Sequence, residues 1–161
     1  MADIRIVSGT AINVPIILDL IRGLAEYEKL SHVMVATEDA LRRTLFGPHP
    51  AAEVLLAYDG EECAGFALFF QNYSTFLAKP GLYLEDLFVK PHARRRGIGK
   101  ALLSRLARIA VERGYGRMEW SVLDWNELAI GFYKKLGADV LPDWRICRIT
   151  GPALERMSDA L

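Results

Sequence analysis

Neither sign of charge is in excess: 20 Lys+Arg face 20 Asp+Glu, and the formal net charge is zero. Nothing global therefore favours nucleic acid or an anionic membrane, and a small molecule or another protein is the better expectation for a partner. Cysteine is scarce. Cys63 and Cys147 both lie in apolar, strand-like contexts, which predicts two buried, reduced thiols and no disulfide. The histidines His32, His49 and His92 are scattered without metal-ligand spacing, so no metal site is expected and all three read as solvated loop residues. The start, MADIRIVSG, alternates like a strand and has no basic segment followed by an apolar block. Val14 to Leu24 is interrupted by Asp19 and Arg22 and is too short to span a bilayer. The expectation is a cytoplasmic protein with no membrane partner.

Internal repeats, linkers and low-complexity tracts are missing as well. A chain of 161 residues then reads as a single domain, 1–161, able to bury about two-thirds of its unfolded surface. Asp3 to Val7 predicts a strand. Ile16, Ile17, Leu20, Leu24 and Tyr27 recur at helical spacing after Pro15. Thr37 with Glu38 and Asp39 predicts a capped helix to Phe46, stopped by Gly47, Pro48 and Pro50. Glu53 to Tyr58 and Cys63 to Tyr73 flank Asp59-Gly60, a hairpin signal. A loop over Lys79, Pro80 and Gly81 leads into a strand, Leu82 to Val89. Gly97 to Arg113 is a helix stopped by Gly114, Arg117 to Leu123 a strand, Asn126 to Leu136 a helix and Trp144 to Thr150 a last strand. The hairpin implies antiparallel pairing and the later strand–helix–strand run a parallel βαβ unit, so the fold class is α/β with a mixed sheet.

Between the strand Leu82–Val89 and the following helix stands Arg94-Arg95-Arg96-Gly97-Ile98-Gly99-Lys100. Glycines at such a turn let backbone amides approach an anion, and the helix dipole adds attraction for phosphate. The competing reading is a strand-to-helix turn with solvated arginines. A nucleoside-triphosphate loop needs Gly-Lys-Ser/Thr, whereas Gly99-Lys100 is followed by Ala101. A dinucleotide fold places its glycine turn after the first strand, not in mid-chain. A nucleic-acid patch would want aromatic residues among the arginines, and there are none.

Strand, Arg-x-x-Gly-x-Gly and helix in this order resemble the acetyl-CoA-binding motif of the GCN5-related N-acetyltransferase (GNAT) family, and the resemblance spans nearly the whole chain. LAEYE at Leu24 to Glu28, YLEDLFV at Tyr83 to Val89 and WNELAIGFYKKLGA at Trp125 to Ala138 make it similar to the spermidine/spermine (diamine) acetyltransferases. Tyr73-Ser74-Thr75 and Val122 to Asn126 look closer to the thialysine Nε-acetyltransferase branch.

The resemblance implies a GNAT fold, a mostly antiparallel sheet with a central parallel coenzyme-binding unit. It implies acetyl-CoA as co-substrate, a small amine as acceptor and a homodimer. The amides from Arg95 to Lys100 would hold the pyrophosphate, with Arg94, Arg96, Gly97, Ile98 and Gly99 in the same motif, and Leu87, Phe88 and Val89 would pair with the pantetheine arm. Asn126, a natural N-cap, becomes a coenzyme contact. Tyr133, two helical turns on, becomes the acid that protonates the leaving thiolate; its alternative is a core aromatic beside Phe132. Glu85 becomes the carboxylate that holds the ammonium and takes its proton, with Tyr27 and Glu28 as further substrate contacts or, alternatively, a solvated helix end.

Adjacent carboxylates in a strand face opposite sides, so Glu85 and Asp86 cannot both enter the core without cost. At least one of them needs a partner, a polar cavity or a turn of the chain, and a structural role for Asp86, such as anchoring a bulge, is one of the alternatives. Ser74 has no nucleophile-elbow context, so direct attack on the thioester is expected. One departure stands out: Val140 to Trp144, VLPDW, is shorter than the corresponding loop of the diamine enzymes and lacks a glutamate there. That weakens the case for a long polyamine. Two other functions fit the same residues: a related transferase for an amino acid or protein lysine, and a non-catalytic acyl-CoA-binding protein.

Overall fold

The computed structural model describes residues 3–160. The chain divides into two compact units, one ending at Ser121 and one beginning at Val122.

In the first unit the elements run β1 (Ile4–Ser8), α1 (Val14–Tyr27), α2 (Glu38–Phe46), β2 (Glu53–Asp59), β3 (Glu62–Ser74), β4 (Lys79–Val89), α3 (Ile98–Glu112) and β5 (Met118–Trp120). The five strands form one sheet in sequence order. The first three pairings are antiparallel and β4–β5 is parallel, as the predicted hairpin and βαβ unit require. Period-2 alternation divides the buried residues between two faces. Val54, Leu56, Phe66 and Phe88 lie with Val14, Ile17, Leu20 and Leu24 of α1 and with Leu41 and Leu45 of α2. On the other face Leu55 and Phe69 meet α3, whose Ile98, Leu102 and Leu106 are fully buried. Each such side chain contributes about 1.5–3 kcal/mol on leaving water. α1 approaches β4 closely because Gly23 has no side chain; a Cβ there would stand 2.8 Å from the Phe88 ring.

Three boundaries in this unit differ from the sequence expectation, and the largest difference is at β5, which covers only Met118–Trp120 and not Arg117 to Leu123. β4 begins at Lys79, so Lys79-Pro80-Gly81 is strand and not loop. Pro80 is tolerated as the second residue of the strand, ahead of the β5 pairing that starts at Leu82. In the β2–β3 hairpin Asp59 is still a paired strand residue opposite Glu62, and Gly60 alone carries the positive φ of the two-residue connection.

The second unit holds α4 (Glu127–Lys135) and α5 (Gly151–Ser158). Asn126 caps α4, its Oδ1 accepting from the Ala129 amide at 3.2 Å. The strand expected at Trp144 to Thr150 does not form: these residues join no ladder among the described residues, and Trp144, Ile146 and Ile149 are exposed. Aromatic and β-branched residues supply strand propensity, but a strand also needs a hydrogen-bonding neighbour. For the same reason Cys147 is exposed, contrary to the expectation of two buried thiols; Cys63 is buried, and both are free. α5 was not anticipated; Pro152 in its first turn was the available signal.

Candidate active site

The opening of the site is a β-bulge. β4 follows β3 with Phe69 opposite Leu84 and Leu68 opposite Asp86, leaving Glu85 as the extra residue. The insertion resets the alternation. Leu84 points to the α3 face, whereas Asp86 joins Leu68 and Phe88 on the α1 face, and Glu85 is exposed. A bulge was one of the alternatives the sequence left open for this carboxylate pair, and it is the one that forms. The β3–β4 ladder resumes beyond the bulge as far as Val89, but a bulge bends the strand that carries it and turns it from a neighbour on its other edge. Accordingly the β4–β5 ladder covers only Leu82 to Leu84, and on that side Leu87, Phe88 and Val89 have no strand neighbour among the described residues. That open edge is where an extended ligand could add as a strand.

The end of α1 meets this region. Lys29 takes the left-handed conformation (φ 60), and the Leu30 amide donates back to the Ala25 carbonyl at 2.8 Å, closing the helix. Tyr27 and Glu28 thus sit at a helix C-terminus, whose partial negative charge attracts cations. Burial first, then the charge of Glu85, raises the Glu28 pKa above the usual carboxylate range. Burial, followed by the charges of Glu85 and Glu28, pushes Asp86 up to about 7. The three carboxylates sense one another, and a cluster of this kind favours an incoming cation.

The glycine turn lies beyond β4. Gly97 is left-handed (φ 88) immediately before α3, a conformation that excludes most side chains. Gly99 is already helical, and a Cβ there would meet nothing closer than Val89 Cγ2 at 4.0 Å. Packing within the chain thus gives no reason for glycine at 99; room for a ligand against the backbone does. Arg94 does not reach into solvent. Its Nε donates to the Val89 carbonyl at 2.9 Å, and its guanidinium lies 4.5 Å from the centre of the Tyr27 ring and 5.8 Å from that of Phe88. One arginine therefore joins the turn, the end of β4 and the end of α1. Arg95 and Lys100 make no ion pair among the described residues, and Arg96 pairs with Asp59.

The first unit therefore brings together Tyr27, Glu28, Glu85, Leu87, Phe88, Val89 and the segment from Arg94 to Lys100. Asn126 and Tyr133 lie in the second unit, on the same short helix; the Tyr133 ring is 5.7 Å from that of Phe132. Ser74 is buried and accepts from the Leu77 amide and from Arg117 Nη1, a structural role. His32, His49 and His92 are exposed, as expected; His92 pairs with Glu62. Sequence reasoning missed Asp59, which it took for a turn residue, and undervalued Asp86. Only the spacing of Glu85 and Asp86 signalled the latter.

The acetyltransferase (GNAT) family model matches residues 20–138. The chain is 39% identical to the L-ornithine N5-acetyltransferase of Arabidopsis thaliana, covering 94% of this chain and 86% of that protein. It is also 39% identical to the thialysine N-epsilon-acetyltransferase of Bos taurus, covering 88% and 89%. Among solved structures, an integron cassette protein from the mobile metagenome of V. cholerae superposes with a TM-score of 0.80 at 26% identity, over 99% of both chains. The glycine turn after a bulged strand, the mixed sheet and these likenesses agree: the chain belongs to the GNAT family of acetyltransferases.

Proposed function

We propose that this enzyme transfers acetyl from acetyl-CoA directly to a primary amine of a small diamine or lysine-like substrate. The observation that carries the reading is the turn beside the open edge of β4: a Cβ at Gly99 would meet no close neighbour, and Leu87 to Val89, paired with β3 on one side, have no strand neighbour on the β5 side among the described residues. These residues suit a pyrophosphate followed by an extended arm. When bound, the coenzyme supplies an activated thioester. The amides from Arg95 to Lys100 hold its phosphates, with Arg95 and Lys100 as cations, and the amides of Leu87 to Val89 align the arm and polarise the carbonyl. Asn126 is a further coenzyme contact.

Glu85 and Glu28, with the C-terminus of α1, hold the substrate ammonium, and Tyr27 lines the same end. An amine with a reference pKa near 10.4 attacks only after losing a proton. Glu85 accepts it directly or through water, within a cluster in which Asp86 ionises near neutral pH. Tyr133 donates a proton to the departing thiolate. A phenol with a reference pKa of about 10 is protonated at pH 7, whereas the thiol it creates has one of about 8.5. The two units act together as a single domain, in a cytoplasmic enzyme whose one exposed thiol is stable when reduced. No helix among the described residues is long and apolar enough to cross a membrane.

The relatives named for ornithine and thialysine support a short amine bearing its own carboxylate. The short Val140 to Trp144 segment supports the same choice over a long polyamine. A homodimer completes the reading. Trp144, Ile146 and Ile149, exposed along a segment that joins no ladder among the described residues, support a second copy as the cover; sedimentation velocity tests it. Thiol release from acetyl-CoA across an amine panel tests the activity, and coenzyme binding without turnover would favour a non-catalytic acyl-CoA binder.

A further inference from the structure

The coenzyme turn carries three consecutive arginines, yet two of them are engaged by the protein. Arg94 is held by the Val89 carbonyl and the Tyr27 ring. Arg96 Nη1 stands 2.6 Å from Asp59 Oδ2, with the Asp59 side chain only 11% exposed and that of Arg96 50% exposed. The two charges are close but off the hydrogen-bond axis, so the carboxylate oxygen is otherwise buried without a hydrogen-bonding partner. Removing Arg96 from it would leave an ionised oxygen buried and unpaired, which is strongly unfavourable. Asp59 is fixed by the sheet, opposite Ile4 in β1 and Glu62 in β3. Arg96, in contrast, lies between two left-handed residues, Arg95 (φ 63) and Gly97 (φ 88). For Arg95 that conformation is disfavoured and persists only if neighbouring contacts enforce it.

We infer that Asp59 is a positioning residue for coenzyme binding: acting through Arg96, it tethers the glycine turn to the β2–β3 hairpin, so that Arg96 serves as an anchor and not as a phosphate ligand. The inference rests on the acetyl-CoA reading of the turn. It makes a counter-intuitive prediction of sign. Asp59 is a carboxylate near a site for anions, so simple electrostatics says that neutralising it should tighten binding, both by removing repulsion and by freeing Arg96 for phosphate. A tether says the reverse, because the amides of the turn lose their fixed arrangement.

The test is the KM for acetyl-CoA, with kcat at saturating coenzyme, for Asp59→Asn, Arg96→Gln and the double variant, alongside calorimetric binding of CoA. The tether predicts a KM about tenfold higher for Asp59→Asn, with kcat at saturation unchanged. The double variant should be no weaker than either single one, since one unit is broken in all three. A lower or unchanged KM in Asp59→Asn overturns the inference. If Arg96→Gln does not fold because it leaves the Asp59 carboxylate buried and unpaired, the double variant carries the test, because it leaves no uncompensated buried charge; wild-type affinity there overturns the tether. A wild-type protein that fails to bind CoA would instead sink the coenzyme reading itself.

Discussion

Adding an acidic side chain at Gly99 should move stability and coenzyme affinity in opposite directions. Gly99 is the second residue of α3, and its would-be Cβ stands in open space, so Gly99→Asp strains nothing in the free protein. A carboxylate in the first turn of a helix is favourable by about 0.3–1 kcal/mol, and glycine is a poor helix former. The variant should therefore melt at or above the wild-type temperature, by about 1–4 °C for a chain of this size. Coenzyme binding should suffer. A unit charge about 5 Å from a phosphate costs about 1–3 kcal/mol at the effective dielectric of a surface site, and the added atoms crowd the amides as well. Acetyl-CoA affinity should fall more than tenfold, and Gly99→Asn, of the same size without the charge, should fall less. Gly97 is the poorer place for this test, because its left-handed backbone would confound strain with charge. Calorimetry with acetyl-CoA, paired with thermal melts, reads both quantities. A folded Gly99→Asp enzyme with unchanged affinity would remove the turn from the coenzyme site.

Tyr133→Phe should lower kcat by roughly 10²-fold with little change in coenzyme affinity, since the ring stays and only the proton donor goes; unchanged turnover would assign that proton to water or another group. Glu85→Gln should reduce kcat/KM for every amine about ten- to a hundredfold, the loss of one charge-assisted hydrogen bond of about 1.5–3 kcal/mol, and an unaffected panel would mean that the amine sits elsewhere. Asp86, pushed up to about 7, binds its proton more tightly folded than unfolded, so it opposes stability increasingly as pH rises from its ordinary range through about 7. Asp86→Asn should thus leave stability at pH 4 near wild type and raise it by up to a few kcal/mol at pH 8; equal stability gaps at both pH values in chemical denaturation would contradict this. With thialysine or a short diamine, kcat/KM should exceed that with spermine, and the reverse order would overturn the branch assignment.

The order of elements from Glu53 to Arg113 was legible because its signals are local. Asp-Gly marked the hairpin, period 2 the strands, and a glycine turn the start of α3. The Asp59 pairing was not legible, because the two-residue connection slid by one position and released its side chain toward residue 96. The adjacent acids Glu85 and Asp86 advertised an irregularity, since an uninterrupted strand would have forced one of them into the core at a cost, but a bulge was only one of the ways to meet it. What the sequence could not show was the consequence, that pairing with β5 stops at Leu84 and opens the edge of Leu87 to Val89. At the other end, WRICRIT is rich in aromatic and β-branched residues and still forms no strand. A strand is specified by its neighbour, and neighbours are long-range.

Thiol release from acetyl-CoA on adding thialysine, ornithine, putrescine or spermine to the purified enzyme tests the central claim most directly. The account predicts amine-dependent release that saturates in both substrates, is greater with the short amines and yields the N-acetylated amine by mass spectrometry. Tight acetyl-CoA binding with no release on adding any of the four amines would contradict it.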